Sequence, residues 1–116
     1  MVKTNHKLKS LEARTKECQD ILQKHPDRVP VYVHVDEKTL YMERKKFLVP
    51  RGLSVAEFTR VIRGRTKIRP CDAIFMFVGT KKILPPNGAL FEDLYKEHRG
   101  NDQMLHVTYT VENTFG

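Results

Sequence analysis

Cysteine is scarce in this chain, and long apolar runs are absent. Cys18 and Cys71 stand far apart, with no CxxC pair and no histidine cluster beside either. That pattern argues against a disulfide framework and a zinc site, and reads as two reduced thiols, core or half-buried. The densest apolar stretch, AIFMFV at 73–78, is far short of the roughly 20 residues a bilayer span requires. The opening MVKTNHKLK is basic but has no apolar segment behind it, which excludes a secretory signal. A soluble, intracellular protein is expected. The five histidines show no HExxH or comparable spacing, so no metal site and no cofactor are expected. Internal repeats and low-complexity segments are absent too.

What is present is positive charge. Twenty-one Lys and Arg against fourteen acids give a net charge of +7. The bases gather at Lys3, Lys7 and Lys9, at 44–46, and at Arg60, Arg63, Arg65, Lys67 and Arg69. Such a surface attracts RNA, anionic headgroups or acidic protein segments through its long-range field, without ranking them. The run Arg60, Arg63, Lys67, Arg69 reads as a solvated face.

Along the chain, SLEARTKECQDILQKH predicts a helix capped by Ser10 and stopped by Pro26, with Leu11, Cys18, Ile21 and Leu22 on one face. VPVYVHV alternates and predicts a half-buried strand, with Pro30 marking an edge or a strand start. KKFLVP predicts a second strand paired with it as a hairpin. In SVAEFTRVIRGR, Ser54 and Glu57 form an S-x-x-E capping box, followed by Val55, Phe58, Val61 and Ile62 at helical spacing. AIFMFV reads as a buried strand, Lys82 to Leu84 as a short one, and ALFEDLYKEH as a short helix with Leu90, Phe91, Leu94 and Tyr95 on one face. MLHVTYT alternates, with Leu105, Val107 and Tyr109 on one side. This order suits an α+β two-layer domain in which a mixed sheet carries a helix on one face. A ubiquitin-like β-grasp with an N-terminal helical extension fits it.

Seven motifs in order, HPDRVPV, KKFLVPRGLSVAEF, IRGRTKI, AIFMFV, LPP, LYKEH and ENTFG, resemble the autophagy ubiquitin-like modifiers, a family that includes the microtubule-associated protein light chains and the GABA-receptor-associated protein. The resemblance spans about Leu11 to Gly116. It departs at Ser10-Leu11, Arg51-Gly52 and Gly64, and Met104 stands where Phe is common. The resemblance implies a non-enzymatic modifier joined through a C-terminal glycine, here Gly116, to phosphatidylethanolamine on the forming autophagosome. It implies as partners an activating enzyme, a conjugating enzyme, a cysteine protease that trims and delipidates, and receptors carrying aromatic-x-x-aliphatic motifs. No specific nucleic acid is expected. It places the protein in the cytoplasm and, when lipidated, on the autophagosome membrane.

The resemblance also implies site residues. An aromatic pocket would be formed by Glu17, Ile21, Pro30, Tyr32, Lys46, Leu48 and Met104. An aliphatic pocket would be formed by Phe47, Val49, Pro50, Leu53, Phe58 and Val61. Arg44, Lys46 and Arg65 would meet acids flanking the motif. Tyr32 and Phe47 are expected on half-exposed strands, and a free strand edge at 46–49 would let a peptide add as a further strand. At the tail, glycine leaves its carbonyl open to attack, and Phe115 would anchor the tail in an enzyme groove. Three segments are expected: 1–27 a helical extension, 28–110 the β-grasp core, and 111–116 a flexible conjugation tail. The alternatives are a small basic RNA-binding or ribosome-associated α+β protein, against which the strands lack an RNP-like aromatic series, and a small Cys/His enzyme.

Overall fold

The computed structural model describes residues 10–36, 38 and 40–112. The helix α1, Leu11–Lys24, begins where the Ser10 side chain accepts from the Ala13 N–H. A loop through Pro26 leads into β1, Arg28–Val35, which pairs antiparallel with β2, Lys46–Pro50. The helix α2, Val55–Gly64, starts at the Ser54/Glu57 capping box, with both reciprocal hydrogen bonds formed. The strand β3, Ala73–Val78, the helix α3, Phe91–His98, and the strand β4, Leu105–Glu112, follow among the described residues.

The four strands form one mixed sheet in the order β2-β1-β4-β3, with β1 and β4 parallel at its centre. The main core lies on one face of the sheet. Val29, Val31 and Val33 of β1, Leu105, Val107 and Tyr109 of β4, and Phe47 and Val49 of β2 meet Val55, Phe58 and Ile62 of α2 and Phe91, Leu94 and Tyr95 of α3 there. Phe58 is its hub, edge-on to both Phe47 and Phe91 at ring separations of 5.5 and 5.0 Å. On the other face α1 builds a smaller cluster of Cys18, Tyr32 and Met104.

Covering both faces overturns several expectations. The strand β1 is buried on both sides along 29–33 rather than half-buried, since α1 packs on the face opposite α2 and α3. It is also central, so Pro30 marks a strand start and not an edge. The parallel ladder with β4 begins at Val31, one residue beyond the proline. The AIFMFV strand lies at the sheet's edge, with only Met76 and Val78 fully buried and Phe75 38 % exposed. The expected strand at 82–84 reduces to one bridge between Val78 and Ile83, within a connection where Lys82 takes φ 52°. Leu11 and Val61, assigned by spacing to buried faces, are exposed, as is Cys71. Finally, β4 runs through Glu112, with Val111 and Glu112 paired to Ile74 and Ala73. The sheet therefore holds the first two residues assigned to the tail.

Candidate functional site: the free edge of β2

Strand alternation sorts the residues of β2. Phe47 and Val49 point into the main core, while Lys46 and Leu48 lie on the α1 side. The backbone alternates as well. Val33 N–H donates to the Lys45 carbonyl at 2.8 Å, and Arg51 N–H donates to the Asp27 carbonyl at 3.1 Å. Odd-numbered residues thus bond inward to the β1 side, and the peptide groups of Lys46 and Leu48 face outward. Two exposed guanidinium groups reach those outward carbonyls: Arg44 Nε donates to Lys46 O at 3.1 Å, and Arg28 Nη1 to Leu48 O at 3.4 Å. Charged side chains over an unpaired edge discourage indiscriminate strand pairing. Arg28 is absent from the sequence-derived set, and no spacing rule would have found it, because its contact comes from the register Arg28↔Pro50.

Beside this edge lies a cavity of about 110 Å³ lined by Glu17 and Ile21 of α1, Pro30 and Val31 of β1, Arg44, Lys46, Phe47 and Leu48 around β2, and Met104. Six of the seven residues expected for an aromatic pocket come together here. The seventh, Tyr32, is only 7 % exposed; it is buried in one cluster with Met104 and Cys18 and does not line the cavity. Val31 is the residue that sequence reasoning omitted. Lys46 Nζ spans the mouth to Glu17 Oε1 at 3.2 Å. Both side chains are partly solvated, so the pair contributes less than about 1 kcal/mol and is readily opened.

The residues expected for an aliphatic pocket divide differently. Val49 and Phe58 are core, and Phe47, expected half-exposed, is 8 % exposed because Phe58 packs on its edge. Accessible surface is left at Pro50, Leu53 and Val61. Arg44 and Arg65 bracket the Phe47 ring at 5.6 and 5.5 Å from its centre, each positioned for a cation–π contact. Together with Met42 and Glu43 they bound a hollow of about 290 Å³. Two of the three cations expected to meet acidic flanks therefore sit at one end of the edge strand, and Lys46 sits at the mouth of the first cavity.

Burial, followed by the charges of Asp102 and Glu17, pushes the Cys18 thiol up to about 11, leaving it protonated at neutral pH. Among the described residues, no group of three or more His, Cys, Asp or Glu is placed to hold a metal ion. Nor is any described helix long and apolar enough to cross a membrane. Phe115 and Gly116, and the leader lysines Lys3, Lys7 and Lys9, lie outside the described residues.

A sequence profile described as "Autophagy protein Atg8 ubiquitin like" matches residues 13–116. The chain belongs to the Atg8 family. It is 45 % identical over 109 residues to Autophagy-related protein 8 of Schizosaccharomyces pombe, covering 92 % of this chain and 88 % of that protein. It is 46 % identical over 108 residues to Autophagy-related protein 8d of Arabidopsis thaliana, covering 91 % and 88 %. The crystal structure of Trypanosoma brucei ATG8 superposes with a TM-score of 0.83 at 28 % identity, over the whole of both chains. The fold is thus the ubiquitin-like one expected, α+β, with a mixed four-stranded sheet. Atg8 membership makes the protein an autophagy ubiquitin-like modifier.

Proposed function

We propose that this Atg8 protein is conjugated through the carboxyl group of Gly116 to phosphatidylethanolamine, and that its β2 edge captures short aromatic-x-x-aliphatic segments of receptors and adaptors. The observation that carries the recognition half is the juxtaposition of an outward-facing strand edge at Lys46–Leu48 with the cavity between α1 and β2. An incoming strand takes the main-chain groups of Lys46 and Leu48, displacing the guanidinium groups of Arg44 and Arg28. Its aromatic side chain enters the cavity floored by Met104, and its aliphatic side chain lies on Pro50, Leu53 and Val61. Arg44, Lys46 and Arg65 favour acids beside the motif, chiefly through association rate and salt sensitivity. Each buried anchor contributes roughly 1.5–3 kcal/mol before ordering costs, which places the affinity in the micromolar range.

The conjugation half is supported by the family match, which runs through Gly116. Activating and conjugating enzymes would carry the glycine carbonyl as a thioester, Phe115 would anchor the tail in their grooves, and a cysteine protease would trim and delipidate the protein. The protein would then divide between cytoplasm and autophagosome membrane. The test combines two assays. Reconstitution with both enzymes on phosphatidylethanolamine liposomes should lipidate the wild type and leave a Gly116 deletion unmodified. Titration of an acidic aromatic-x-x-aliphatic peptide should be weakened by Leu48→Ala and by Lys46→Glu. A deletion variant lipidated at the normal rate, or equal peptide binding by all three proteins, would refute the respective half.

A further inference from the structure

On the β3 side of α1, away from the peptide groove, a second hollow of about 820 Å³ opens between Arg14 of α1, Lys82 in the connection after β3, Arg99 after α3, and the β1 and β4 residues His34 and His106. Its volume falls within the range of small-molecule sites. Leu11 is its one large apolar wall residue among those described, and His98 adds a third imidazole. Asp102 is the one acid among its described walls, and that carboxylate is engaged three times. Arg14 Nε and His106 Nε2 each lie 2.9 Å from Oδ2, and the Met104 N–H donates to Oδ1 at 3.0 Å.

The floor of the hollow fixes a proton order. With His106 Nε2–H donating to Asp102, neutral His106 has a bare Nδ1. The 2.9 Å contact from His34 Nε2 to that nitrogen then requires the proton on His34 Nε2. The vacant nitrogen of the chain is His34 Nδ1, so the next proton taken up goes there. Burial, then electrostatic repulsion from the His106, Lys45 and Lys82 side, holds His34 below the usual imidazole value. An anion placed beside His34 would act against the repulsive part of that effect. Beyond the Arg14–Asp102 pair, Lys82 and Arg99 carry permanent charge on separate loops, so they would contact different groups of one ligand.

We propose that this hollow binds a small ligand carrying two or more phosphate monoesters on a sugar- or cyclitol-sized frame, with proton uptake at His34 on binding. The cations and imidazoles gathered around the hollow favour a polyanion over a neutral ligand. Lys82, Arg99 and protonated His34 supply the charge-assisted hydrogen bonds that a phosphate accepts. The same chemistry is offered by a soluble inositol phosphate and by a phosphoinositide headgroup.

The test uses the full, unlipidated chain. Calorimetric and NMR titrations with inositol 1,4,5-trisphosphate at pH 6.0 and 7.5 run beside co-sedimentation with phosphatidylcholine vesicles, with and without phosphatidylinositol 4,5-bisphosphate. Expected is proton uptake on binding that is lost in His34→Asn, with the His34 and His106 ring signals shifting. Affinities are compared with that variant at each pH, because the phosphate monoesters also titrate at about pH 6. The exposed double substitution Lys82→Glu, Arg99→Glu should weaken binding at least about tenfold, and because Arg99 also lies over the Tyr95 ring, Lys82→Glu alone should weaken it with thermal stability retained. His34→Asn should weaken binding at both pH values and abolish the proton uptake. Saturable binding of the soluble trisphosphate would identify a cytosolic ligand, and recruitment by bisphosphate vesicles alone would identify the headgroup. Either supports the site if the double substitution abolishes it. Binding that survives the double substitution, proton uptake unchanged by His34→Asn, or no response to either probe overturns the proposal.

Discussion

Asp102 is the most constrained polar residue described, 2 % exposed and bonded to Arg14, His106 and the Met104 amide. Burial pushes its carboxyl up, but the hydrogen bonds from His106, Arg14 and Met104 outweigh that and hold it below its ordinary value. Removing Arg14 leaves a buried charge short of one partner. Arg14→Ala should cost about 3 kcal/mol, the low end for breaking a buried pair, because Arg14 is partly solvated. Urea denaturation checks this, and Arg14→Lys should restore only part of the loss. The pH profile follows from two depressed values. His34 is held below 6.5, so the unfolded chain binds the extra proton first, and stability falls as pH drops below that point. Asp102 is held below 3.8, so its contribution is complete above 3.8 and lost as pH falls through its folded value. Denaturation midpoints between pH 8 and 3 should show both declines, and His34→Asn should remove the upper one.

At the scale of elements, α2 is specified almost entirely by local sequence. Its start is fixed by the Ser54 side chain accepting from Glu57 N–H at 3.1 Å while Glu57 Oε1 accepts from Ser54 N–H at 2.9 Å. Ser54→Ala should cost about 1 kcal/mol, as loss of an N-cap usually does. Phe58→Ala, at the hub of the core, should cost roughly 3–5 kcal/mol. Thermal melts of the two variants should therefore separate cleanly. The edge strand β2 was also legible, through its basic leader and Phe-Leu-Val alternation. What alternation could not reveal is that α1 covers the reverse face of β1. That single packing event buries Tyr32 and turns a half-buried strand into a fully buried one.

For the whole molecule, the two cysteines report on different things. Cys18 is enclosed between α1 and the sheet with its thiol raised to about 11, whereas Cys71 lies exposed before β3. Iodoacetamide at pH 7.5 should label Cys71 promptly. Cys18 should react only as α1 detaches or the chain unfolds, so mass spectrometry across a urea series should show its labelling track global unfolding. Labelling of Cys18 in the native protein at the rate of Cys71 would mean that α1 does not stay docked. The Arg14→Ala variant should label Cys18 faster than wild type, since Arg14 ties α1 to the loop before β4.

The sequence by itself determined the element types, the caps at Ser10 and Ser54, the hairpin of β1 with β2, and the family, because each is written in local periodicity, hydrogen-bonding side chains or contiguous motifs. Six of the cavity residues followed from the family resemblance, carried over position by position. Tertiary structure alone decided which strands are central and which are edges. It placed Val31 in the cavity and Tyr32 outside its lining, laid Arg28 and Arg44 over the outward carbonyls of β2, and joined His34, His106, Asp102 and Arg14 across three elements. The physical reason is common to all of these. Burial on the second face of a strand, and hydrogen bonds between residues far apart in the chain, depend on strand order and register, which the local pattern of a segment does not encode.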